Sequence, residues 1–281
     1  MLENRRILIT GATGGIGAAV VKEVLAHGGR VLAVGRDIRR LSHVEDIGAQ
    51  TVQLDLTSRN APSRLAASAG SAFGGALDGL VVASAQLAPI GPTRAVDLDE
   101  LEQAFRVNTL ATLGIIQGCA QLLDAGLTPS VVLFSGGGAT AAFPRYTSYA
   151  LSKVALVRLV ENLAVEEPAW KVNAVSPGFV GTGIHAATIE AGPDVAGPYY
   201  DETRERLSEP SAPTAAAQLV AFLLSERSRG ISGRLISAVW DAWRDPDYAE
   251  ALRSDTDLAR LRRIDGERFV DVASSHSLPQ Q

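Results

Sequence analysis

Two short patterns in this chain could do chemistry. The first is Thr10-Gly11-Ala12-Thr13-Gly14-Gly15-Ile16-Gly17, which joins the apolar Ile7-Leu8-Ile9 to the helix-like Ala18-Ala19-Val20-Val21. A strand that ends in a glycine-rich turn and runs straight into a helix aims free backbone N–H groups and the positive end of the helix dipole at one point, where a pyrophosphate fits. Glycine suits the turn because a Cβ would block positive φ, the approach of backbone to phosphate and the packing of helix on sheet. The second pattern is Tyr149-Ala150-Leu151-Ser152-Lys153, whose Tyr and Lys share one face of a predicted helix. An ammonium beside a phenol favours the phenolate, which makes the tyrosine a proton donor or acceptor nearer neutral pH. Glycine turns also serve as plain connections, and a Tyr–Lys pair at this spacing is common on solvated helices. The information lies in their combination.

The elements that must hold these patterns alternate. After the first strand, Val31–Val34, Thr51–Leu54, Gly79–Val82, Ser130–Phe134, Lys171–Val175 and Arg234–Ser237 read as further strands. Helical patterns run over roughly 15–27, 38–46, 58–72, 97–124, 149–167 and 212–226. Strands that are apolar almost throughout belong in a parallel sheet covered on both faces. The fold class is therefore α/β, a doubly wound, seven-stranded, Rossmann-like sheet, with ligands expected beyond the C-terminal strand ends. Residues 1–238 form the expected domain. Residues 239–281 read as a C-terminal extension packing on it or at a subunit interface, with the last ten flexible.

Composition excludes other classes. Of 281 residues, 46% are apolar and 20% charged, which suits a folded globular chain. The net charge is −5 with no dense basic stripe, so neither nucleic acid nor a membrane surface is the expected partner, and a small molecule is. No apolar run is long enough to span a bilayer, no secretory signal is read, and the expected location is cytoplasmic. The single cysteine, Cys119, reads as core filler. No metal site is expected.

Taken together, the motifs resemble the short-chain dehydrogenase/reductase family over about residues 5–240. Thr10, Gly11, Gly15 and Gly17 match the family's T-G-x-x-x-G-x-G turn, and Tyr149 and Lys153 its Y-x-x-x-K pair. Asp55 resembles the residue that faces the adenine, with Leu56 beside it, and Asn108 resembles the helix-borne Asn of the proton relay. Asn173-Ala174-Val175-Ser176-Pro177-Gly178 looks like the sixth-strand signature, with Val180 and Thr182 where the family touches the carboxamide. The resemblance implies hydride transfer between a nicotinamide and a carbonyl or secondary alcohol. Tyr149 would exchange the proton, Lys153 would lower its pKa and hold the ribose, and Asn108 would anchor a relay water. Cofactor-binding residues on this reading are Gly11, Thr13, Gly14, Gly15, Ile16, Gly17, Arg36, Asp55, Leu56, Ala83, Ser84, Ala85, Tyr149, Lys153, Pro177, Gly178, Val180 and Thr182. Gly35 stands where an acid would select NAD(H), and Arg36 next to it can pair with a 2′-phosphate, so NADP(H) is expected over NAD(H). Related proteins imply a homodimer or homotetramer.

Two positions depart from the family. Thirteen residues before Tyr149, where a serine is usual, lies Gly136, with Ser135 one position earlier. Ser135 takes the serine's place only if the strand bulges, because side chains alternate. Otherwise the backbone N–H groups of Gly136-Gly137-Gly138 would serve. After the fourth strand, Val82-Ala83-Ser84-Ala85 replaces Asn-Asn-Ala-Gly, so bracing there must come from apolar packing or from Ser84. Residues 181–212 are expected to be a loop able to close as a lid, with His185 either a polar contact near the nicotinamide or a surface histidine. Trp240 and Trp243 suggest packing over the pocket or, in preference, at a subunit interface. The Gly136 and Val82-Ala83 departures leave a second class open, a cofactor-binding scaffold or sensor with weak or no catalysis. A third is a nucleotide-sugar epimerase or dehydratase, because the turn also fits T-G-x-x-G-x-x-G through Gly11, Gly14 and Gly17.

Overall fold

The computed structural model describes residues 1–209 and 211–262. The expected flexibility of the last ten residues lies outside the described residues. Seven strands, β1 (Arg6–Thr10), β2 (Arg30–Gly35), β3 (Gln50–Gln53), β4 (Gly79–Val82), β5 (Ser130–Phe134), β6 (Lys171–Ser176) and β7 (Arg234–Ser237), form one sheet in the order β3-β2-β1-β4-β5-β6-β7. Every neighbouring pair is parallel. The chain winds one way from β1 to β3 and the other way from β4 onward, so the crevice of the doubly wound sheet lies between β1 and β4.

Alternation along the strands feeds two cores. Ile7 and Ile9 of β1 bury on one face with Val81, Val132 and Phe134, and Leu8 buries on the other with Leu80, Val131 and Leu133. The first face is covered by α1 (Gly15–Ala26) and, after α2 (Ile38–Glu45), by α9 (Thr214–Leu224). The second is covered by α3 (Ala61–Phe73), a long helix made of α4 (Leu98–Phe105) and α5 (Ala111–Asp124), and α6 (Thr147–Glu166). Between α4 and α5, Arg106–Leu110 forms a π-helical turn. Cys119 lies in the second core, where burial pushes its thiol up to about 12.

The strands appear within a residue or two of their expected bounds. The segment expected to be a loop, 181–212, is instead largely helical: α7 (Ala186–Ala196) and α8 (Tyr199–Ser208). Its glycines and prolines are joints between short helices. Gly192 at φ 76° kinks α7 just before Pro193, and Gly197 at φ 65° ends it ahead of Pro198. Glu202 and Arg206 pair at 2.7 Å along α8. After β7, α10 (Pro246–Ser254) docks on the first core through Ala249 and Leu252. Trp243 is buried there against Phe222, whereas Trp240 is 78% exposed, so the two indoles do not act as a pair. Leu261 and Arg262 tie the chain end to Glu161 of α6, the Leu261 N–H donating at 2.8 Å.

At the N-terminal edge of the sheet, Arg6 donates from Nε and Nη2 to the two carboxylate oxygens of buried Asp78, each at 2.8 Å. The N–H groups of Arg6 and Leu127 add two more bonds, and together these donors hold the carboxyl at about 2 against the cost of burial. No helix among the described residues is long and apolar enough to cross a membrane.

Candidate active site

The glycine turn lies at the C-terminal end of β1, against the end of β4. Gly11 has φ 65°, and a Cβ on it would fall 2.5 Å from the Ser84 nitrogen. On Gly17 a Cβ would fall 2.1 Å from the Gly11 carbonyl oxygen. Both obstacles are backbone, so only glycine lets the turn pack this closely under β4 and α1. Gly14 and Gly15 are exposed, and the first helical bond runs from Ala18 N–H to the Gly14 carbonyl. The preceding N–H groups of α1 therefore point out of the helix start as anion donors. The cradle fits a dinucleotide phosphate. Thr182, from the segment after β6, reaches the same turn: its Cγ2 would be 2.5 Å from a Cβ on Gly15. Pro177, Gly178 and Val180 lie on the way to it, with Val180 buried. Thr13 of the turn also lies against Gly35 at the end of β2.

Arg36 is exposed just beyond β2, while Asp37 caps α2 by accepting from Arg39 N–H at 2.9 Å. Asp55 is exposed after β3 and accepts from the N–H and hydroxyl of Thr57 at 2.9 and 2.7 Å. Those bonds lower its pKa, with a smaller contribution from nearby Arg36. Leu56 beside it is partly buried.

At the end of β4, Ser84 Oγ approaches Thr10 Oγ1 at 3.5 Å, a hydroxyl contact where the family's amide brace is missing. A stronger brace comes from Asn108, which sits fully buried in the π turn. Its Oδ1 accepts from Gln86 N–H at 2.8 Å, and its Nδ2 donates to the Gln86 carbonyl at 2.8 Å and to Ser152 Oγ at 3.0 Å. The side chain expected to anchor a water is thus engaged in clamping the segment after Ala85 to α6.

Tyr149 and Lys153 lie one turn apart on the buried face of α6. Lys153 is fully enclosed, donates from Nζ to the Phe134 carbonyl at 2.8 Å and sits 5.4 Å from the centre of the Tyr149 ring. The electrostatics differ from expectation. Burial pushes Tyr149 well above its usual range, the neighbouring Tyr199 phenol adds to the rise, and Lys153 does not offset it. Burial instead lowers Lys153 to about 8. Nζ is tied to the end of β5 through the Phe134 carbonyl and lies over the ring face.

The count back from the tyrosine to Gly136 is confirmed by geometry, since a Cβ there would lie 2.5 Å from Tyr149 Oη. No slip brings Ser135 to that place. Its N–H still donates to the Val175 carbonyl, one step beyond the Phe134–Val175 register, and its buried Oγ meets no protein hydrogen-bond partner. His185 is likewise not a surface histidine. It is 8% exposed, stacks on Phe179 at 4.2 Å and uses Nε2 on the Val180 carbonyl at 3.1 Å, so it fastens the segment after β6. Around Tyr149 the chain builds an apolar wall that the sequence reading did not assemble. Leu87, Ile90, Phe143, Tyr146, Ile184, Tyr199 and Tyr200 pack into one cluster with it. The three-residue spacing of Phe143, Tyr146 and Tyr149 before and into α6 was the available signal.

These features, a glycine cradle at the β1/α1 junction and a buried Tyr–Lys pair across the crevice of a seven-stranded parallel sheet, define a nicotinamide-dependent oxidoreductase. A family model described as Enoyl-(Acyl carrier protein) reductase matches residues 11–238. L-xylulose reductase of Homo sapiens is 30% identical over 250 residues, 86% of this chain and 98% of that protein. L-2,3-butanediol dehydrogenase of Corynebacterium glutamicum is 28% identical over 247 residues, 82% of this chain and 95% of that one. A putative short chain dehydrogenase from Pseudomonas syringae superposes with a TM-score of 0.74 at 27% identity, covering 84% of this chain and 96% of its own. The chain belongs to the short-chain dehydrogenase/reductase family.

Proposed function

We propose that this protein interconverts a ketone and a secondary alcohol of a small molecule, with NADP(H) as the preferred coenzyme. The observation that carries the reading is the pairing of a buried phenol with a buried ammonium at the same end of the sheet as the glycine cradle: Lys153 Nζ is 5.4 Å from the Tyr149 ring centre and tethered to the Phe134 carbonyl at the C-terminal end of β5. Relatives named as a reductase of L-xylulose and a dehydrogenase of L-2,3-butanediol support a carbonyl or carbinol as the reacting group.

Tyr149 gives the substrate oxygen its proton in reduction and takes it back in oxidation. When bound, the nicotinamide supplies or accepts the hydride. Lys153 is charged at neutral pH, being lowered only to about 8, and holds that charge over the Tyr149 ring, 5.4 Å from its centre. Asn108 holds the segment after β4 against α6 and so fixes the tyrosine's backbone, since Ser152 Oγ bridges Asn108 Nδ2 to the Tyr149 carbonyl. The phosphates rest on Gly11, Thr13, Gly14, Gly15, Ile16 and Gly17. The adenosine side is bounded by Arg36, Asp55 and Leu56, the middle by Ala83, Ser84 and Ala85, and the nicotinamide side by Pro177, Gly178, Val180 and Thr182. Ser135, next to Lys153's acceptor Phe134, keeps its hydroxyl buried without a protein hydrogen-bond partner.

The NADP(H) preference rests on Arg36, exposed one residue past Gly35 with no acid at the strand end. Equilibrium binding tests it. NADPH is expected to bind more tightly than NADH, and Arg36→Ala to weaken NADPH about tenfold while leaving NADH nearly unchanged. Tighter binding of NADH by the unmodified protein contradicts the assignment. Assembly into a homo-oligomer fits the exposed apolar side chains Leu151, Val239 and Trp240, at 52%, 56% and 78% exposure.

A further inference from the structure

Gly136 removes the side chain that would donate a second hydrogen bond beside Tyr149, and the bare backbone is used for something else. A Cβ on Gly137 would meet the Phe143 ring at 3.3 Å, and one on Gly138 would meet Phe143 Cβ at 2.9 Å, so Phe143 lies down on the glycine run. Tyr146 stacks on Phe143 with ring centres 4.4 Å apart, and its hydroxyl is tied to Thr188 Oγ1 of α7 at 3.1 Å. Tyr199 of α8 then stands edge-on to both rings, 4.8 Å from Phe143 and 5.1 Å from Tyr146. Edge-to-face packing of this kind fixes the ring while leaving its hydroxyl end to other partners. Tyr199 is partly buried and packs against the apolar cluster that holds Tyr149, its hydroxyl neighbouring Thr203 one turn further along α8. The loss of a side chain at Gly136 and the arrival of a second phenol are thus parts of one packing arrangement.

We propose that Tyr199 donates the second hydrogen bond to the substrate oxygen, the bond for which Gly136 has no side chain. This inference rests on the proposed reduction of a carbonyl by Tyr149. In that step the carbonyl π bond breaks, the carbon gains the hydride and the oxygen gains the Tyr149 proton, leaving a phenolate. Tyr199 keeps its own proton and stabilises the charge growing on oxygen, as a fixed donor does in an oxyanion site. Because Tyr199 rides on α8, the donor is in place only when the 183–208 segment covers the crevice. Packed there, the same segment also shields the site from water.

Turnover of diacetyl, a small vicinal diketone, with NADPH tests this. Tyr199→Phe is expected to lower kcat about a hundredfold with little change in KM. Fluorine NMR of fluorotyrosine-labelled protein reads the contact without turnover. With diacetyl and oxidised NADP, the Tyr149 and Tyr199 resonances, assigned from their Phe variants, should both shift. A Tyr199 resonance that stays in place while that of Tyr149 moves overturns the proposal, as does an unchanged kcat in Tyr199→Phe. Tyr149→Phe separates the levels: activity that survives it contradicts the reaction itself, whereas an inactive Tyr149→Phe beside a fully active Tyr199→Phe contradicts only the role of Tyr199.

Discussion

Lys153 shows most plainly what function costs this fold. Its ammonium is enclosed, keeps one bond to a backbone carbonyl and has its pKa lowered from 10.5 to about 8 by burial. Between pH 8 and 10.5 the unfolded chain therefore binds more protons than the folded one, and stability gains from this residue as pH rises through that window. Below it the folded state bears the whole penalty. Lys153→Met is thus expected to raise stability at neutral pH by about 2 kcal/mol in denaturant unfolding while abolishing turnover. A destabilised variant would show that the lysine has partners beyond Phe134. The same residue marks a limit of sequence reading. The Tyr149–Lys153 spacing correctly placed both on one buried face, but the sign of the tyrosine's shift depends on where Nζ points. That direction is set by the Phe134 carbonyl at the end of β5, which the spacing of two residues on a helix does not reveal.

At the scale of elements, the β1/α1 junction follows closely from its residues. Gly11 and Gly17 were legible because their obstacles are the turn's own backbone and that of the next strand in the sheet. Gly17→Ala forces a Cβ to within 2.1 Å of the Gly11 carbonyl, so it is expected to cost at least about 3 kcal/mol and to remove coenzyme binding. Thermal unfolding and coenzyme titration of that variant check both. Most of the seven strands were legible because strands buried on both faces carry a short apolar run, as Gly79–Val82 and Ser130–Phe134 do. The covering segment was not. Gly192, Pro193, Gly197 and Pro198 are the punctuation of a loop when read locally, yet here they separate short helices held by tertiary contacts such as Tyr146 with Thr188. His185 escaped for the same reason, since only the fold reveals that Phe179 stacks on it and that the Val180 carbonyl accepts its bond.

Across the whole molecule, chemistry and stability sit at opposite ends of the sheet. The cradle, Tyr149 and the covering helices gather at the C-terminal strand ends, and the Arg6–Asp78 pair holds the other end. Because Asp78 is lowered from 3.8 to about 2, its contribution is complete well above the unfolded value and is lost as pH falls toward 2. It amounts to about 2 kcal/mol at neutral pH. Asp78→Asn is expected to lose at least that much at pH 7 and to flatten the acid limb of the stability profile, while coenzyme affinity stays unchanged. Equal acid sensitivity in the variant and the parent would contradict this division. The C-terminal extension belongs to the same frame, because Trp243 and Leu252 share a core with α1 and Leu261 is bonded to Glu161 on the catalytic helix. The opposite fates of Trp240 and Trp243, one exposed and one buried, were not legible, since both read alike in sequence.

The central claim is that the phenol of residue 149 passes a proton to a substrate oxygen next to a coenzyme held on the glycine turn. Single-turnover oxidation of bound NADPH by diacetyl, measured in the parent protein and in Tyr149→Phe, tests it most directly. The expected result is a rate at least about a thousandfold lower in the variant, with the NADPH dissociation constant unchanged. A variant that consumes its bound coenzyme as fast as the parent would contradict the account.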